Sequence, residues 1–148
     1  MRITVEQSIN ADRARIWQTL TNVGESPRVM PSIQNVEVLE KPARGLVGLK
    51  WRETRAFLGK EATEVMWVTA AQEGQHYDVR AESHGAIYTT RVALSAEGPP
   101  FKVSMDFVAQ PVTIGARIMW FLTGWMFAGA TRKALAQDLL DMKTAIED

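Results

Sequence analysis

The chain contains no cysteine. Disulfide staples, thiol catalysis and cysteine metal sites are therefore excluded. Excess charge of either sign is absent too: 17 Lys and Arg balance 17 Asp and Glu. A general nucleic-acid binder needs a basic surplus to neutralise phosphates, so no nucleic-acid partner is expected. Zero net charge also gives little colloidal repulsion, which permits self-association as a homodimer. Histidine is scarce, with only two residues. His76 falls in a solvated strand row and His84 at a turn, neither with a carboxylate at ligand spacing. No metal site and no cofactor are expected. Nucleophile elbows and phosphate-binding glycine patterns are missing. The N-terminus has no signal-peptide core. The longest uncharged stretch of the terminal helix, Ile118 to Thr131, falls short of the ~18–20 residues that span a bilayer. No transmembrane segment is expected, and a soluble cytoplasmic protein is the default reading.

What is present is an ordinary globular composition over 148 residues, most economically one domain covering 1–148. Arg2 to Ile9 alternates as a strand. Asn10 offers an N-cap for a short amphipathic helix carrying Ala14, Ile16, Trp17 and Leu20. A second short helix is expected between Val23 and Met30, with Pro27 near its start and Pro31 ending it. Ile33 to Leu39 reads as a strand. Two hairpins follow, Val47–Phe57 with Lys60–Ala70 and Gln75–Ser83 with Ala86–Ala96. Their tips are Leu58-Gly59 and His84-Gly85. Phe101 to Ala109 is a last strand.

A long helix then runs from about Thr113 to about Ile146. Its second half is amphipathic, with Leu135, Leu139, Met142 and Ile146 at spacings of three and four. In its first half Ile118, Phe121, Leu122 and Trp125 read as the same stripe. Met119, Trp120, Met126 and Phe127 carry apolar surface onto other faces. They are expected on sheet edges and short helices, or else at a docking patch.

Particular stretches carry a resemblance. Ser8-Ile-Asn-Ala-Asp-Arg-Ala-Arg-Ile-Trp-Gln-Thr-Leu20 and Asn22 to Pro31 resemble the opening of the START-like superfamily, also called SRPBCC. Gly48-Leu-Lys-Trp-Arg-Glu-Thr-Arg55, Gly59-Lys-Glu-Ala-Thr-Glu64 and Ala134 to Lys143 resemble small bacterial members of its polyketide cyclase/dehydrase and lipid transport branch. The resemblance spans essentially the whole chain. It implies an α+β helix-grip fold, in which a curved antiparallel sheet of about seven strands wraps a long C-terminal helix around a cavity. None of these motifs is catalytic, and the superfamily hosts carriers, sensors and enzymes alike.

Side chains alternate across each strand, so one inward residue fixes its set. Tyr77, Val79 and Ala81 then face in, as do Tyr88, Thr90 and Val92, and Phe101, Val103, Met105 and Phe107. In the first hairpin Val47, Leu49 and Trp51 share a face with Glu53 and Arg55. A two-residue turn at Leu58-Gly59 sets Glu53 opposite Glu64, with Ala62, Met66 and Val68 on the same face. Opposed carboxylates repel unless a cation intervenes or one is protonated, and Arg55 can be that cation. The cluster reads as a minor surface ion pair, as a polar anchor inside an apolar cavity, or as a general acid/base. The opposite register would turn Lys50, Arg52, Thr54, Val65 and Trp67 inward.

The leading expectation is a binding protein, not an enzyme, for a small hydrophobic molecule such as a lipid, isoprenoid or polyketide-like aromatic. Trp51, Met66, Tyr77 and Tyr88 would enclose its body together with Met105, Phe107, Phe121 and Trp125. Glu53, Arg55, Glu64, Tyr88 and Thr90 would meet its polar groups. One rival is a cyclase/dehydratase-like enzyme in which Glu53 or Glu64 moves a proton. The other is a protein-binding module using the apolar helix surface.

Overall fold

Alternating segments and glycine-marked turns build the middle of the chain into hairpins, and an unbroken helix closes it. The computed structural model describes all residues, Met1–Asp148. The elements run β1 (Arg2–Ile9), α1 (Arg13–Thr21), a 3₁₀ turn (Val23–Glu25), α2 (Ser26–Val29), β2 (Ile33–Glu40), β3 (Lys50–Phe57), β4 (Lys60–Gln72), β5 (His76–Ser83), β6 (Ala86–Leu94), β7 (Phe101–Pro111) and α3 (Ile114–Glu147). All seven strands join one antiparallel sheet, in the order β1-β7-β6-β5-β4-β3-β2. This is the helix-grip arrangement.

The sheet must curl. α3 packs chiefly on β1, yet its Phe127 ring also lies 5.7 Å from Phe57 at the end of β3. In a flat sheet five spacings of ~4.8 Å would hold β1 and β3 about 24 Å apart. A helix is only ~10 Å across, so the two ends of the sheet wrap around it. The core lies inside that wrap. Ile3, Val5 and Ile9 of β1 meet Val103 and Met105 of β7, Ile16 and Leu20 of α1, and Leu139, Met142 and Ile146 of α3.

Two elements start later than the sequence pattern suggests. The N-cap position of α1 is Asp12, not Asn10. Asn10 instead donates its backbone N–H to Glu147 Oε1 at 2.8 Å, tying the start of the chain to the end of α3. β3 begins at Lys50, so Val47 stands outside the strand and is exposed. Gly48, with φ +95, turns the chain there.

Both hairpin tips have positive φ at both central residues, Leu58 and Gly59, His84 and Gly85. Such two-residue turns match the twist of the flanking strands. The second tip also holds α3. The Gly85 carbonyl accepts from the backbone of Val112 at 2.8 Å and Thr113 at 3.3 Å. Thr113 Oγ1 in turn caps α3 by accepting from Ala116 N. A Cβ on Gly85 would stand 2.3 Å from Thr113 Oγ1. Gly85→Ala should therefore cost about 1–3 kcal/mol in left-handed strain, plus ~1 kcal/mol where the cap is displaced. Urea unfolding measures this; an unchanged midpoint would mean the tip does not clasp the helix.

α3 is rotated from its expected setting in its first half. Ala116, Trp120, Gly124, Phe127 and Thr131 follow the inward side at about one per turn, and none of these five is exposed. Trp120 packs on Phe127 with ring centroids 5.1 Å apart. Ile118, Phe121, Leu122 and Trp125 face outward, Phe121 being 88% and Trp125 79% exposed. Apolar residues occupy every side of this segment, so periodicity gave no contrast from which to read the inward face.

Candidate functional site

The Leu58-Gly59 turn fixes the register of β3 on β4. Glu53 stands opposite Glu64, Trp51 opposite Met66 and Arg55 opposite Ala62, as the two-residue turn requires. The opposite register is excluded: Trp51 and Glu53 are buried, whereas Arg52 is exposed and pairs with Glu37 on the outer face. The same holds on β5 and β6, where Asp78 and Arg91 form an outer ion pair while Tyr77 and Val92 are buried.

The charged end of this face is not a surface pair. Glu53 is 7% exposed, and Arg55 reaches across to Asp138 of α3, which is 2% exposed. Arg55 Nε donates to Glu53 Oε2 at 3.0 Å, and its Nη1 donates to Asp138 Oδ2, also at 3.0 Å. Ser32 Oγ donates to the other Asp138 oxygen at 3.2 Å. Burial pulls the Arg55 pKa down, but the charges of Glu53 and Asp138 and their hydrogen bonds outweigh it, leaving Arg55 raised. Burial also lifts the Asp138 carboxyl above the ordinary range, opposed by Arg55 and Ser32 and assisted by the charge on Glu53.

Arg55 does not bridge Glu53 and Glu64. Its level on the sheet is that of Ala62, and α3 brings a buried carboxylate within its reach. Glu64 is met from the next strand, where Ser83 Oγ donates to Glu64 Oε1 at 2.7 Å. Beside them Tyr88 stacks on Phe107 with centroids 5.9 Å apart. Burial raises the Tyr88 phenol, as does the charge on Glu64, against a lowering hydrogen bond with Ser83.

Burial varies along the inner face in an informative way. One end is sealed by Tyr77, Val92, Val103 and Met105. Beyond them Met66, Val79, Tyr88, Thr90 and Phe107 are only half-buried, with the small buried side chains Ala81 and Ala109 beside Met66 and Tyr88 in the same row. α3 packs on β1 and β7 and leaves the middle strands less covered. An apolar strip thus runs under the helix and ends at the Glu53–Arg55–Asp138 cluster.

Of the residues expected to meet a ligand, Met66, Tyr88, Thr90 and Phe107 are half-buried on this face with Arg55 and Glu64, while Glu53 and Trp51 are buried beside them, Trp51 as part of the core. Tyr77 and Met105 are packed into the core instead. The Tyr77 hydroxyl donates to the Leu20 carbonyl at 2.6 Å and its ring meets Trp17 edge-on. Burial, with the charge of Glu53 adding, raises its phenol strongly. Phe121 and Trp125 lie on the outer side of α3, away from the strip. Asp138 and Ser32 were missed. The signal for Asp138 was there, a carboxylate inside the stripe of Leu135, Leu139 and Met142.

Two buried polar atoms have no partner within the chain, Trp51 Nε1 and Thr131 Oγ1. No three carboxylates or histidines converge as a metal would require. Two outer depressions are small, 130 Å³ beside Gln18, Asn22 and Glu25, and 210 Å³ beside Glu40, Lys50 and Trp67. Both fall below the ~300–1,000 Å³ of ligand pockets. No helix is long and apolar enough to cross a membrane.

Solved structures of similar shape are numerous. A START superfamily protein from Mycobacterium smegmatis superposes with a TM-score of 0.74 at 14% identity, covering 99% of this chain and 97% of that one. The Zhui aromatase/cyclase from Streptomyces sp. R1128 gives 0.76 at 13%, covering 99% and 93%. The di-domain ARO/CYC BexL from the BE-7585A biosynthetic pathway gives 0.83 at 13%, with all of this chain matching 50% of that one. At such identities the likeness shows the fold alone. No curated protein matches the sequence. The family model for polyketide cyclase/dehydrase and lipid transport matches residues 1–147. With the whole sheet and its closing helix inside that match, the chain belongs to the polyketide cyclase/dehydrase and lipid transport family.

Proposed function

We propose that the chain, as one ligand-binding domain, holds a small hydrophobic molecule under the first half of α3, with its polar end at Glu53, Arg55 and Glu64. The observation that carries this reading is the half-covered apolar strip that ends in a buried charged cluster. Met66, Val79, Tyr88, Thr90 and Phe107 would contact the ligand's body. A polar atom of the ligand would meet Trp51 Nε1, a buried donor that otherwise costs about 1–3 kcal/mol when unpaired.

The cluster also selects the head group. Glu53, Asp138 and Glu64 outnumber Arg55, so an anionic head would meet net negative charge. A neutral head that donates hydrogen bonds, such as a hydroxyl or phenol, fits better. A catalytic reading would have to include Asp138, whose carboxyl burial holds high. Both Asp138 oxygens are engaged by Arg55 and Ser32, which favours anchoring over proton transfer.

The test uses a matched pair of fluorescent probes, N-phenylnaphthylamine and its sulfonated analogue anilinonaphthalene sulfonate. The neutral probe should bind at least about tenfold tighter, a difference of ~1.4 kcal/mol. Thr90→Trp and Val79→Phe, which fill the strip, should abolish its binding with the unfolding midpoint kept. Equal affinity for the two probes would remove the anchor. Binding that survives both filled variants would remove the strip. Native mass spectrometry of the purified protein gives the independent check for a carried ligand.

A further inference from the structure

The outer side of α3 has its own order. Gly115, Ile118, Leu122, Trp125 and Gly129 recur at alternating spacings of three and four, the a/d seam of a helix pair. All five are exposed. No residue from Ile118 to Thr131 is charged, so this seam has no polar side to offer water. A helix that is apolar all round is normally covered all round. The glycines point the same way. Gly115 and Gly129 each cost roughly 1 kcal/mol of helix propensity relative to alanine, and a Cβ on either would meet nothing within 4 Å. The packing of the chain on itself does not call for them. Close approach of another helix backbone would.

We infer that this seam is a homodimer interface in which α3 of two copies pack antiparallel about Leu122. The sequence is self-complementary in that arrangement. A twofold axis at Leu122 sets Gly115 against Gly129 of the second copy, and brings Leu122 against its own equivalent. Arg117 lies about 140° round the helix from Leu122 and so stands off the seam, while Arg132 falls at the level of Val112 of the second copy, so no like charges meet. Antiparallel packing also opposes the two helix dipoles, which a parallel pair would align. The area is sufficient. From their exposures, Ile114, Ile118, Met119, Phe121, Leu122 and Trp125 present on the order of 800 Å², more than the few hundred Å² of an ordinary monomer patch and about one partner's share of a standard interface. A bilayer is the weaker occupant, since the segment offers no lysine or arginine for anionic headgroups. The dimer is independent of ligand binding, because the seam lies on the opposite side of α3 from the strip.

The absence of native cysteine makes the geometry directly readable. Sedimentation velocity of the full chain at micromolar to sub-millimolar concentration should give the dimer mass. Leu122→Glu should give the monomer, with circular dichroism unchanged and the unfolding midpoint equal to that of the wild type in dilute solution. Under mild oxidation Leu122→Cys should form a covalent dimer, whereas Gly115→Cys, on the same seam but set against Gly129, should not, because only the residue on the axis meets its own equivalent within disulfide reach. A wild-type monomer throughout that range, or a dimer untouched by Leu122→Glu, would overturn the inference. Cross-linking through Gly115→Cys would overturn the antiparallel pairing, since only parallel helices bring that position against its own equivalent. A monomer that pellets with phosphatidylcholine vesicles would reassign the seam to a lipid surface.

Discussion

Arg55→Met should remove about 3–5 kcal/mol of folding stability at neutral pH, the usual cost of deleting one partner from a buried ion cluster. The guanidinium stands between Glu53 and Asp138, and without it two buried carboxylates face each other uncompensated. The deficit should depend on pH. Burial holds the Asp138 carboxyl above its ordinary value in the folded chain. A raised carboxyl contributes stability that is fully present below the unfolded pKa, ~3.9 for aspartate. That contribution is lost as pH rises through the folded pKa. Losing Arg55 removes the charge that opposes this upward shift at Asp138, so the variant's deficit should shrink toward about pH 4 and grow toward neutrality. Replacing the whole cluster should recover the loss. Glu53→Leu, Arg55→Met and Asp138→Leu together should match or exceed the wild type, as apolar replacements of buried ion clusters often do, while the preference for a neutral probe head disappears. Urea unfolding across pH decides. A deficit below about 1 kcal/mol at every pH would mean that the pair behaves as an exposed one.

Leu139→Ala should cost about 2–5 kcal/mol, whereas Phe121→Ala in a dilute sample should change stability by no more than about 0.5 kcal/mol. The two residues are five turns apart and lie on one side of the same helix. Leu139 is 1% exposed and Phe121 88%. Removing the leucine opens a cavity against β1 and α1; removing the phenylalanine opens nothing within the protomer. Equal losses at the two positions would mean that the first half of α3 is covered by its own sheet after all.

That comparison also explains what could be read from the sequence. The strands were legible because each has one wet and one dry side, and a period of two shows through the contrast. The register of β3 on β4 followed from Leu58-Gly59, and with it the meeting of Glu53 and Glu64. Leu135 to Ile146 was legible for the same reason as the strands. Ile118 to Gly129 was not, because its inward and outward sides are equally apolar. Asp138 was hidden for a different reason. Its partner Arg55 lies far away in the chain and is joined to it only by the curl of the sheet. Ser32 and Trp51 Nε1 likewise acquire meaning only through neighbours that topology supplies.

Mechanically, α3 is a beam supported at both ends. Gly85 and the Thr113 cap hold its beginning, and Asn10, with the buried Ile146, holds its end. Arg55 adds a strut partway along. A swinging door needs a free edge, and this helix has none. For a ligand held as proposed, entry beneath the helix would require the unsupported span to bow, or the β3–β4 tip to draw Phe57 away from Phe127. Stiffness of the span Ile118–Gly129, with glycine at 124 and 129, would then set how fast the site fills and empties.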